Sequence, residues 1–164
     1  MHRRDLLLAG VLAFTAPRQT AAQDFTPLGT FDDVRVSSAT GEPHCYGYSL
    51  ELWRHRGTII GLLDRHSGLC GDPPCEALAN VSHDPGSGRL DFSALSVTFV
   101  GTLRRDEVVG TLDGKRIRLV RDKDQPPMDS DRDKSLDAWC DFWRGVRRCR
   151  GVDDLCRSLS SEQR

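Results

Sequence analysis

Between Thr26 and Arg121 the chain is interrupted by Gly, Pro, Asn and Asp so regularly that no helix of ordinary length fits between the breaks. The segments that remain are strand-sized. Cys45 to Arg54 alternates, with Tyr46, Tyr48, Leu50 and Leu52 on one side and Gly47, Ser49, Glu51 and Trp53 on the other, the period of a half-buried strand. Thr58 to Arg65 places Ile59, Ile60, Leu62 and Leu63 without alternation, which predicts a strand covered on both faces. Further strands are predicted at Thr30 to Val36, Ala77 to His83, Leu90 to Phe92, Ser96 to Arg104, Glu107 to Leu112 and Lys115 to Arg121. Thr40 to Pro43, His55 to Gly57 and Asp84 to Gly88 are turns by composition, and Arg105-Asp106 and Asp113-Gly114 are hairpin-sized connectors. The fold class is therefore mainly β, an antiparallel meander of about eight strands forming a small barrel or a sandwich. Meander connections favour the barrel, which also removes exposed sheet edges. The interior of an eight-stranded barrel is filled by side chains or holds one small ligand.

The ends of this region carry short motifs. Gly29-Thr30-Phe31 opens the first strand, and Phe99-x-Gly101-x-Leu103 is followed by Val109-Gly110-Thr111-Leu112. The first resembles the Gly-x-Trp opening of lipocalin-like and avidin-like barrels, with Phe31 in place of the Trp, and the second is similar to the late hairpins of such barrels. The resemblance spans about 90 residues. It implies an up-and-down barrel and assigns no binding residue.

A polar linker is expected at 122–135, and from Leu136 the period changes. Leu136, Trp139, Cys140, Trp143 and Val146 recur three and four apart, one face of a helix that Ser135 can cap. This C-terminal segment, 136–164, is expected to pack on the mouth or wall of the barrel domain at 23–121. Gly151 is a natural stop, and Asp153 to Leu159 can add a short second turn. Arg144, Arg147, Arg148, Arg150 and Arg157 sit where cations complement a helix dipole.

The N-terminus reads as an export signal. Met1 to Asp5 is charged, Leu6 to Ala16 is an apolar run of 11 residues, too short to span a bilayer, and Thr20-Ala21-Ala22 supplies the small residues of a cleavage site after Ala22. Arg3-Arg4 before the apolar run resembles a twin-arginine signal, and Arg18 behind it fits that route. Removing residues 1–22 leaves 20 basic and 23 acidic side chains, a balance that asks for neither nucleic acid nor an anionic membrane. With no apolar span of 18 residues, no transmembrane segment is expected, and the mature protein is assigned to the periplasm or the medium.

Six cysteines in an exported chain predict three disulfides. A zinc site at Cys70 and Cys75 with His66 or His44 is the alternative, weakened by the lack of a matched ligand pair. Cys70 is paired with Cys75 across Pro73-Pro74. Cys140 and Cys149, nine residues apart on one helix, are too distant to bond. Because Cys140 shares the apolar face expected to meet the barrel, Cys45 with Cys140 is favoured over Cys45 with Cys149, leaving Cys149 with Cys156 to close the Gly151 turn.

No catalytic constellation and no cofactor motif emerge. His55 and His66 read as solvated hairpin residues, and His44 and His83 as surface residues at strand ends. Ser49 has only the front half of a nucleophile elbow. Asp129, Asp131 and Asp133 imitate a calcium loop, but Lys134 and Cys140 stand where it needs Gly and Glu. Asn80-Val81-Ser82 matches a glycosylation sequon and is set aside for a bacterial-type signal. Three functions are weighed: a non-enzymatic binding module for a small ligand or a protein; an inhibitor of an extracytoplasmic enzyme through Asp72, Pro73 and Pro74; and a small hydrolase or metalloenzyme.

Overall fold

The computed structural model describes residues 24–39, 41–124, 134–145 and 149–161. The export signal, Asp129 to Asp133, Val146, Arg147 and Arg148 lie outside the described residues. The elements are β1 (Phe25–Asp32), β2 (Arg35–Ser37), β3 (His44–His55), β4 (Thr58–Leu69), β5 (Cys75–Ala77), β6 (Ala79–Asp84), β7 (Arg89–Ala94), β8 (Val97–Leu103), β9 (Glu107–Leu112), β10 (Lys115–Arg121), α1 (Leu136–Gly145) and α2 (Val152–Ser161).

Every pairing is antiparallel, in the order β5-β4-β3-β1-β10-β9-β8-β7-β6, with β2 added to the far end of β3. β1 pairs with β10, so the first and last strands meet. The predicted strand from Ala77 to His83 is instead two strands broken at Leu78. β5 pairs with β4 and β6 with β7, so this stretch crosses between the two ends of the sheet. The Leu78 N–H donates to the Gly61 carbonyl at 2.9 Å across the seam. Counting β5 and β6 as one stave gives a nearly closed barrel of eight staves rather than a sandwich.

Local turn chemistry explains most of the meander. Asp113-Gly114 and Arg56-Gly57 are two-residue turns in which both residues have positive φ (47° and 77°; 48° and 84°), the hairpin geometry that matches strand twist. A third such turn was not legible. Leu95-Ser96, with Ser96 expected to begin a strand, joins β7 to β8 with φ of 52° and 62° and no glycine. The Leu95 N–H donates to Glu76 Oε2 at 2.9 Å, and the Leu95 side chain is buried in the barrel.

Two apolar clusters form on opposite faces of the β3–β4 hairpin. Inside the barrel, Phe31, Leu50, Leu52, Ile59, Leu63, Leu90, Phe92, Phe99, Val108 and Leu119 pack together. Phe92 and Phe99 stack at 4.9 Å, and Gly101 and Gly110 make room for Phe99, whose Cζ would lie 2.5 and 2.8 Å from a Cβ at those positions. Outside, Trp53, Ile60 and Leu62 meet Trp139 and Trp143 of α1 and Val152 and Leu159 of α2. β4 is thus covered on both faces, as predicted. β3 departs from its half-buried reading, because Trp53 lies fully buried beneath the helices. His55, expected to be solvated, is buried too, its ring 6.2 Å from that of Phe25.

The helices lie on the barrel wall. Ser135 Oγ accepts the Ala138 N–H at 3.2 Å, the predicted cap. Gly151, at φ 78°, separates the helices, and α2 runs ten residues rather than one short turn.

All six cysteines form disulfides, but none of the preferred pairs is present. The bonds are Cys45–Cys70, Cys75–Cys149 and Cys140–Cys156. Register explains the first: His44 pairs with Leu69, which delivers Cys70 beside Cys45. Cys75 meets Cys149 because the chain around Arg150 bonds to β5, Ala77 N–H to Arg150 O at 2.8 Å and Arg150 N–H to Cys75 O at 3.0 Å. Cys140 and Cys149 do not share a helix, so the helical-distance argument did not apply, and the packing of α1 on α2 joins Cys140 to Cys156. A thiolate zinc site at Cys70 and Cys75 is thereby excluded.

Candidate functional site

The barrel interior is packed, and one end of the barrel carries a cavity lined by charged residues. At that end lie the β3–β4 turn, the β6–β7 and β8–β9 connections and the exit of β10. There the inward-facing positions change character. In β3 the inward series Leu50, Leu52 ends in Arg54. In β6, Val81 is followed by His83. In β8, Phe99, Gly101 and Leu103 lead to Arg105 in the connection. In β10, Ile117 and Leu119 lead to Arg121. Period 2 places each of these at the rim of the same face as the core residues before it.

These residues line a cavity of about 260 Å³ together with Arg104, and its floor is Leu28, Phe31 and Leu103. The staves that supply the rim residues Arg54, Arg121, Arg105 and His83 alternate around the ring: β3, β10, β8 and β6, with β1, β9, β7 and β4 between them. Arg54, Arg121, Arg105 and His83 share this one cavity, beyond the last apolar inward residues of their strands.

The cations differ in how they are held. The Arg121 guanidinium lies 4.9 Å above the Phe31 ring, donates from Nε to the Arg105 carbonyl at 2.8 Å and stands 3.9 Å from Asp106. A bulge between Pro27 and Gly29 makes room for it; a Cβ on Gly29 (φ 126°) would collide with the guanidinium. Arg104 is held by Glu107 at 2.9 Å, which also accepts from Arg118 at 2.7 Å. The Arg118 and Arg104 hydrogen bonds keep the Glu107 carboxyl below its ordinary range. Arg54 and Arg105 have no carboxylate partner among the described residues. Burial, then the charge of Arg54, lowers the pKa of His83 against the opposing pull of Asp84. Asp84 itself is committed to its turn, accepting from Ser87 Oγ at 2.6 Å and the Gly86 N–H at 2.9 Å, and these bonds lower its pKa.

Arginines over an apolar floor can bind an anion, and the His83 imidazole, whose charged form is disfavoured, stands beside them. Among the described residues, no three His, Cys, Asp or Glu side chains gather to hold a metal ion.

The residues singled out from sequence fall elsewhere. His44 begins β3 at the opposite end, with Nδ1 3.4 Å from the Tyr46 hydroxyl, so His44 and His83 are not brought together. Ser49 sits in register with Asp64 inside the long hairpin. Asn80, at φ 52°, donates to Ser93 Oγ at 3.0 Å. The described arginines of the cluster at the helices form ion pairs: Arg144 with Asp153 at 2.8 Å, Arg150 with Glu76 at 2.8 Å, and Arg157 with Asp154. Asp72, Pro73 and Pro74 form a loop at the far end, Asp72 and Pro74 exposed and Pro73 half-buried. Arg54, Arg105 and Arg121 were not singled out. The signal for them was a cation at the end of an inward apolar series, repeated on separate strands.

No family model, no curated protein and no solved structure matches this chain. Among the described residues no helix is long and apolar enough to cross a membrane.

Proposed function

We propose that the protein is an exported, non-enzymatic ligand-binding module that works at the arginine-lined mouth of its barrel. The observation that carries this reading is the rim itself, in which three alternate staves lead from apolar inward residues to arginine and a fourth to histidine, beside Phe31. Phe31, Leu50 and Phe99 are each at most 1% exposed, so the interior is core rather than a binding chamber. Three disulfides favour an oxidising compartment. Cleavage after Ala22, the twin-arginine route through Arg3-Arg4 and a periplasmic or secreted location complete the reading, and the barrel architecture accords with the lipocalin-like resemblance. Native mass spectrometry of protein recovered from its export compartment tests it. A co-purifying small molecule, lost when Arg54 and Arg105 are both changed to Glu, is expected; a protein that starts at Met1 in the cytoplasm, or a retained metal, contradicts it.

A second reading has its own observation. The loop bearing Asp72, Pro73 and Pro74 is tethered at each end by a different disulfide, Cys45–Cys70 and Cys75–Cys149. Exposed Leu69 and Tyr46 stand beside it on one face of the hairpin. Such a loop is preorganised for insertion into the cleft of an extracytoplasmic enzyme. A stoichiometric protein partner lost on changing Asp72, Pro73 or Pro74 would favour this reading over the first.

A further inference from the structure

The ligand of the mouth can be narrowed to a chemical class, an inference that rests on the mouth being the binding site. We infer that it takes a small organic oxyanion, a carboxylate or phosphate carried on a single apolar ring or a body of that size.

Charge comes first. The cavity lining contains four arginines and one histidine and no carboxylate. Three acids on or beside the adjoining connections are engaged: Glu107 with Arg104 and Arg118, Asp84 with its own turn, and Asp106 beside Arg121. Arg54 and Arg105 remain without a carboxylate among the described residues, and they rise from β3 and from the end of β8, four staves apart in a ring of eight. An oxyanion between them is approached from opposite walls, and guanidinium groups favour planar, two-point contacts with carboxylate and phosphate.

The floor and the size then limit the body. Below the rim the lining is Leu28, Phe31 and Leu103, which offers an apolar ligand nothing to hydrogen-bond. The volume of about 260 Å³ equals roughly nine water molecules at about 30 Å³ each. One ring with its head group fits that volume, with the mouth open to solvent above it. Arg121, fixed over Phe31 by its contacts with the Arg105 carbonyl and Asp106, acts as part of the wall.

The test uses the oxidised mature protein at about 0.15 M salt, where diffuse surface attraction is largely screened. Phenyl phosphate, benzoate and neutral benzyl alcohol are titrated by calorimetry and by amide chemical shifts. The expected result is that at least one of the two anions binds with shifts centred on Gly29, Gly88 and Arg105, that the tighter one names the head group, and that benzyl alcohol binds at least tenfold more weakly. R54Q and R105Q should each weaken the anion about tenfold, the usual worth of a hydrogen bond to a charged group, with an unchanged melting temperature. Benzyl alcohol binding the mouth as well as the anions, or R54Q and R105Q both leaving affinity unchanged, overturns the oxyanion inference while keeping the mouth as a site. Shifts scattered over the surface, or none at the mouth with any probe, overturn both the inference and the reading on which it rests.

Discussion

The barrel core and the helix-covered core share the β3–β4 hairpin, yet they are assembled differently. Inside the barrel, the staves that touch are neighbours in sequence except where β10 returns to β1, and among the residues of that cluster there is no disulfide. Outside, Phe25, Trp53, Cys75, Trp139 and Leu159 come from most of the chain's length, and two disulfides lie in or at the edge of the cluster. A sheet that closes on itself satisfies its own backbone groups and buries one face without help. Two ten-residue helices are marginal alone, and they depend on the wall they cover and on covalent ties.

The sharpest way to separate the two cores is Trp53→Ala. Trp53 is fully buried, with its ring 5.4 Å from that of Trp139 and 6.5 Å from that of Trp143. The expected loss is about 3–5 kcal/mol, with the helical circular dichroism signal melting before the sheet signal. Phe99→Ala should cost a similar amount but unfold both together. Coincident transitions in both variants would show that the two cores are one cooperative unit.

Removing disulfides probes the same dependence. Cys75–Cys149 closes 74 residues and Cys140–Cys156 closes 16. On chain entropy alone, replacing the first pair by Ser should cost about 4 kcal/mol and the second about 3 kcal/mol. Denaturant titration of the two double variants measures the difference, and an inverted order would mean that strain or residual structure outweighs loop length.

A smaller effect is expected from filling the barrel. An added methyl at Gly110 would lie 2.8 Å from Phe99 Cζ and 2.3 Å from the Val100 carbonyl oxygen. Gly110→Ala should cost about 1–3 kcal/mol by overpacking, read as a lower midpoint in urea. Gly145→Ala, which meets nothing within 4 Å at the end of α1, should be neutral or stabilising.

The smallest effect is one of pH. Burial chiefly, then the charges of Asp122 and Asp33, raises the Asp32 pKa against the Val34 N–H and His66. A carboxyl raised in the folded state binds its proton more tightly than in the unfolded chain. Its contribution is therefore favourable in acid and is lost as pH rises from about 4 through the raised value. Asp32→Asn should remove that slope and change stability at pH 7 by less than about 1 kcal/mol. An unchanged pH profile would remove Asp32 from the account.

Where the physics is local, the sequence determined the outcome. Alternation located β3 and β10, whereas the predicted strand from Thr30 to Val36 spans the break between β1 and β2; Asp113-Gly114 and Arg56-Gly57 marked tight turns, the stripe of Leu136, Trp139, Cys140 and Trp143 defined the buried face of α1, and Ser135 capped it. Each of these depends on the conformational preferences of residues only a few positions apart. The Leu95-Ser96 turn lacks the glycine that advertises such geometry, and Glu76, 19 residues away, is what meets its N–H. Tertiary structure alone decided the disulfides, because spacing along the chain says nothing of which residues register and helix packing bring within bonding distance. It decided the burial of His55 and Trp53, since the helices that cover the outer wall lie some 80 residues further on. It also decided the mouth. Arg54, His83 and Arg121 at strand ends and Arg105 in a connection are ordinary residues until barrel closure brings them to one cavity, and only then do three guanidinium groups and an imidazole share a common apolar floor.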